Sequence, residues 1–62
     1  MSRAENGKAL FRAAEDGELD RVKEMLARGA DLEYQYLGFT PLISASWKGH
    51  KEVVELLLDR KA

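Results

Sequence analysis

The stretch that decides the fold is Gly38–Ala62, GFTPLISASWKGHKEVVELLLDRKA. Thr40 is a good N-cap residue, because its hydroxyl can accept from an amide left orphaned at a helix start. Pro41 fits the first helical position, where a missing N–H costs nothing. Leu42, Ile43, Ala45, Ser46 and Trp47 then carry a helix of about two turns until Gly49 stops it. From Lys51 to Arg60 a second helix is predicted, with Glu52 near its start and Arg60 near its end, the arrangement a helix dipole favours.

Working outward, the same plan occurs twice. Displacing the chain by 32 residues brings Leu10 onto Leu42, Ala13 onto Ala45, Gly17 onto Gly49, Val22 onto Val54 and Leu26 onto Leu58. A period of this size is that of a repeat protein. In the first unit one helix is expected from Ala4 or Gly7 to Glu15, with Ser2-Arg3-Ala4-Glu5 offering a capping box. Another runs from Leu19 to Arg28 and ends at Gly29.

These residues resemble the ankyrin repeat family. The match runs through Gly38, Thr40, Pro41, Leu42, Ala45, Gly49, His50, Val53, Val54, Leu56, Leu57 and Leu58, then Gly29, Ala30 and Asp31. The resemblance implies an all-α solenoid over residues 1–62: two helix-turn-helix repeats, about 4–33 and 40–62, joined by a β-turn or short hairpin finger at 34–39. Ile43 stands where the family usually has a histidine, Ser46 replaces a small alanine, Glu33 replaces an asparagine, and Lys61 replaces the glycine that ends the second helix. The connecting segment is one residue shorter than usual.

The two second helices differ in one respect. Arg21 and Glu24 correspond to Val53 and Leu56, so the first unit has a polar outer face and the second is apolar nearly all round. A helix apolar all round expects burial on both sides, and solenoids usually need about three repeats. The first unit reads as an N-terminal cap and the second as an internal repeat. Its uncovered face, assigned to Val53 and Leu56, is expected to be closed by further repeats or by a second copy in a homo-oligomer. An engineered or minimal scaffold whose function is assembly alone is the alternative.

By the same resemblance the function is non-enzymatic protein binding, with contacts from the finger and the exposed side of the first helix of each repeat. Here those positions are Tyr34 or Gln35, Tyr36, Leu37, Phe39, Trp47 and Lys48, with Glu15 and Asp16 from the first unit. Tyr and Trp are enriched where binding energy concentrates. A structural alternative is that Tyr34 and Tyr36 pack as alternating strand residues while Trp47 covers the junction between helices.

Composition narrows the field. The 62 residues are 45% hydrophobic and 34% charged with a net charge of -1, which suits one small soluble domain in the cytoplasm or nucleus and offers no basic face for nucleic acid. No apolar run is long enough for a membrane. No cofactor or metal is expected: cysteine is absent and the single histidine, His50, reads as a capping or packing residue. The acids Glu15, Asp16, Glu18 and Asp20 lack the spacing of a calcium loop and read as a solvated turn. Gly38 and Gly49 read as turn glycines.

Overall fold

A computed structural model describes residues 3–61. The proposed capping box begins at Ser2, outside the described residues. Among those described, α1 (Arg3–Asp16), α2 (Leu19–Ala27), α3 (Pro41–Lys48) and α4 (Lys51–Lys61) follow in order, and α1 packs on both α2 and α3.

The helix ends follow from local chemistry. Thr40 is extended at φ -87, ψ 166, and its Oγ1 accepts from the Ile43 N–H at 3.2 Å. The cap therefore survives without the family's usual histidine, because it needs only the backbone amide at that position. The first unit has Lys8 and Ala9 where the second has Thr40 and Pro41. Nothing there breaks a helix, and α1 runs for 14 residues against 8 for α3. At the other ends, Ala30 N–H donates to Met25 O at 3.1 Å and His50 N–H to Ala45 O at 3.0 Å, each across a glycine with positive φ. These are Schellman closures, which satisfy the last carbonyls of α2 and α3. At the fourth end no glycine stands, and α4 continues through Lys61, whose Nζ lies 3.2 Å from Glu33 Oε1. That pair is exposed and adds little stability.

The core is formed by Leu10, Ala13, Ala14, Val22, Met25, Ala30, Ala45, Val53 and Leu57. Among its members, Ala13 and Ala14 of α1 and Ala45 of α3 are small. His50 joins the repeats a second way: its Nε2 lies 2.9 Å from the Glu15 carbonyl at the end of α1, and its ring lies against Gly17. Gly17 has φ 75, so a side chain there would be strained as well as blocked.

One expectation is corrected. Val53 does not lie on the uncovered face: it is 1% exposed and sits in the core, and Leu56 is half-buried against the same core. Val53, Leu56 and Leu57 form one helical stripe that points back at the first repeat. The most open apolar position of α4 is Leu58, 51% exposed, with Val54 half-buried one turn before it.

Comparing equivalent positions shows what covers what. Phe11 is 6% exposed and its counterpart Ile43 is 46%. Val22 is fully buried where Val54 is half-buried, Leu26 is half-buried where Leu58 is 51% exposed, and Ala14 is buried where Ser46 is exposed. These positions of the first repeat are the more buried of each pair, Phe11 beneath Tyr34 and Tyr36 of the finger. The same positions of the second repeat stand open.

Candidate functional site

The finger is a two-residue hairpin. Tyr36 N–H donates to Phe39 O at 2.9 Å and Phe39 N–H to Tyr36 O at 3.0 Å, leaving Leu37 and Gly38 as the turn. Both turn residues have positive φ, 53 for Leu37 and 84 for Gly38, the signature of a type I′ turn. Upstream, Asp31 fixes the entry: its Oδ1 accepts from Glu33 N–H at 2.9 Å and its carbonyl from Tyr34 N–H at 3.2 Å.

The aromatics divide into two groups. Tyr34 packs edge-on against Phe11, ring centroids 6.3 Å apart, and lies on the backbone of Gly7, where a Cβ would come within 2.8 Å of its ring. Tyr36 also packs on Phe11, ring centroids 5.7 Å apart, but is half exposed. Both tyrosines thus pack on α1, not as alternating strand residues: Tyr34 is half-buried and Tyr36 exposed. Trp47 does not cover the junction between helices: it is 80% exposed, beside Leu37 at 82%.

Two shallow depressions meet along this side of the molecule. One is bounded by Lys8, Arg12, Tyr34 and Tyr36, the other by Leu37, Phe39, Trp47 and Lys48; Phe11, Glu15 and Tyr36 line both. Sharing those three residues, they adjoin on one face, the groove between the finger and the α1/α3 pair. The structure brings Tyr36, Leu37, Phe39, Trp47 and Lys48 together there, with Glu15, whereas Asp16 and Gln35 line neither depression. Phe11, Lys8 and Arg12 were not foreseen. Phe11 was passed over because it aligns with Ile43 as a scaffold position. The signal for Lys8 and Arg12 was their spacing of one helical turn on the same side of α1 as Phe11 and Glu15.

Among the described residues no helix is long and apolar enough to cross a membrane. The groove presents apolar rings, an exposed turn and a few charges around them.

Comparison with known proteins agrees with this architecture. A family model described as "Ankyrin repeats (3 copies)" matches residues 1–62. GA-binding protein subunit beta-2 from Mus musculus is 40% identical over 58 residues, covering 94% of this chain and 14% of that protein. Serine/threonine-protein kinase 12 from Arabidopsis thaliana is 41% identical over 59 residues, covering 94% of this chain and 13% of that protein. Ankyrin repeat-containing protein ITN1, also from Arabidopsis thaliana, is 44% identical over 57 residues, covering 87% of this chain and 10% of that protein. The chain thus spans a small fraction of the relatives it matches, and what it shares with them is the repeat. Ankyrin repeats are in general non-enzymatic protein-interaction modules. The chain belongs to the ankyrin-repeat family.

Proposed function

We propose that this chain recognises a protein partner through the groove, with Leu37 and Trp47 as its apolar anchors, Tyr36 and Phe39 beside them, and Lys48 at the edge. Tyr34 supports the finger from beneath. The observation that carries this reading is Leu37. A non-glycine residue in the left-handed region costs about 1–2 kcal/mol, and a type I′ turn prefers asparagine there. Leucine at φ 53 and 82% exposed therefore serves neither folding nor solubility. Strain of this kind is kept where the residue contacts something else, and Trp47 in the same depression has the residue type most enriched at binding hot spots.

The test is to select binders from a displayed random-peptide library against the wild-type chain and measure them on variants. Trp47→Ala is expected to weaken groove binders by about 30-fold, the equivalent of ~2 kcal/mol. Binders whose affinity is the same on Trp47→Ala and on Leu37→Asn would overturn the assignment.

A second surface has its own support. The forward face of the second repeat, Ile43, Val54 and Leu58 with Ser46, is the counterpart of a face that the first repeat buries. We propose that it is closed by a further repeat or by a second copy of the chain. Assembly through this face alone, with no role for the groove, is the rival reading. Sedimentation of Leu58→Asp separates them: a fall in mass while groove binders still bind supports two independent surfaces. Loss of groove binding together with assembly supports the rival.

A further inference from the structure

Resting on the groove reading above, we propose that the occupant is an extended peptide segment with apolar anchors flanked on both sides by carboxylates. The chain as a whole carries a net charge of -1. The lining of the groove does not share that sign: it includes Lys8 and Arg12 at one end and Lys48 at the other, against the carboxylate of Glu15, while Glu5, Asp16 and Glu18 lie with Lys8, Arg12 and Arg21 around a neighbouring depression. The described surface ion pairs, Arg28–Glu24 and Lys61–Glu33, use none of these cations.

The placement specifies a pattern as well as a sign. Lys8 and Arg12 stand one helical turn apart, about 6 Å along α1, which suits two neighbouring acids on one side of the segment. The middle of the groove is Phe11 and Tyr36 with Glu15 beside them, so an acid there would meet a carboxylate and an aromatic wall. Apolar side chains belong in the middle and against Trp47, and a further acid belongs at Lys48. An extended segment advances about 3.3 Å per residue. About nine residues therefore span the molecule's largest extent of 29 Å. Nucleic acid is a poorer fit, because its charge recurs at every nucleotide and would bring a phosphate to Glu15.

The probe is a fluorescein-labelled peptide, Gly-Glu-Glu-Leu-Gly-Phe-Glu-Glu-Gly, compared by anisotropy with counterparts in which every Glu is Gln or Lys. The acidic peptide is expected to bind about tenfold more tightly than the Gln peptide, the sum of a few exposed ion pairs, and the contrast is expected to shrink with added salt. Lys8→Glu combined with Arg12→Glu is expected to move the preference toward the Lys peptide. Far-ultraviolet circular dichroism of that variant is the control that its helices are intact, as expected for exposed changes. Three results would overturn the proposal: no saturable binding of the acidic peptide, equal or tighter binding of the Lys peptide to the wild type, or equal binding of a single-stranded oligonucleotide of the same charge. The groove reading fails separately. If the acidic peptide binds with the expected contrast but is indifferent to Trp47→Ala and Leu37→Asn, the charge preference resides elsewhere and both statements fall. If it responds to those variants without charge contrast, only the acidic pattern falls.

Discussion

Replacing Leu37 by asparagine is expected to stabilise the protein while weakening what it binds. Leu37 occupies the first turn position of the finger at φ 53, followed by Gly38 at φ 84. A leucine Cβ in that region crowds the following carbonyl at a cost of about 1–2 kcal/mol, whereas asparagine tolerates it. Little is lost in exchange, because full burial of a leucine is worth ~1.5–3 kcal/mol and this one is 82% exposed, so about a fifth of that is at stake. The net expectation is a gain of ~1 kcal/mol, or a rise of roughly 4–8 °C in Tm for a domain of this size, read by thermal circular dichroism. Two companion variants make the reasoning specific. Leu37→Gly removes the strain but adds about 0.5–1 kcal/mol of chain entropy, so it is expected to be near neutral. Leu37→Val keeps the strain and adds a β-branch, so it is expected to be the least stable. The order asparagine, then glycine close to leucine, then valine is the fingerprint of a type I′ turn. An unchanged or lower Tm for Leu37→Asn, or equal stability for asparagine and valine, would refute the account of the finger.

Other variants probe the remaining surfaces. Trp47→Ala is expected to change stability by no more than about 0.5 kcal/mol, since the ring is 80% exposed, and a large fall in Tm would make it a packing residue instead. Gly7→Ala is expected to destabilise by ~1 kcal/mol although alanine is the better helix former, because the new Cβ meets Tyr34 Cβ and Cγ at 2.9 Å and these are not free to swing aside; a gain in stability would count against the packing of Tyr34 on α1. Val53→Asp is expected to unfold the chain by placing a charge in the core, a loss of ~4 kcal/mol or more, whereas Leu58→Asp is expected to leave the helices intact in urea titration. Equal effects of the two would contradict the assignment of the stripes.

The helix starts and stops were legible because their causes are local. Thr40-Pro41 sets one start within two residues, and Gly29 and Gly49 each fix a stop through a closure that depends on positive φ. The period then supplied the architecture. What was not legible was the rotation of α4. Val53 and Val54 are adjacent and identical, and successive residues on a helix differ by about 100° in direction, so their chemistry cannot say which one faces the neighbour. The contrast of Arg21 with Val53 was a true signal attached to the wrong face. Arg21 is exposed, whereas Val53 is apolar because it lies in the core. In the groove, the apolar finger residues and Trp47 could be singled out by residue type, but Phe11 and the cations of α1 could not. Their membership depends on how the finger folds back over α1, which is a long-range contact.

The repeat also separates two meanings of exposed apolar surface. Ile43, Val54 and Leu58 are apolar at positions where the first repeat is apolar too, with Phe11, Val22 and Leu26, so stacking alone accounts for their character. Trp47 has no such explanation. Its counterpart in the first repeat is Glu15, which shows that the position requires no apolar side chain for the repeat to fold. An indole there exposes a large apolar area to water with no packing in return, and burying it would recover ~25 cal/mol per Å2. The same comparison predicts that Trp47→Glu, a change to the residue the molecule already uses at the equivalent site, leaves Tm within ~2 °C. It would also set a carboxylate beside Lys48, weakening any acidic occupant of the groove more than Trp47→Ala does. If Trp47→Glu instead unfolds the chain, the indole is part of the packing and the groove loses its main anchor.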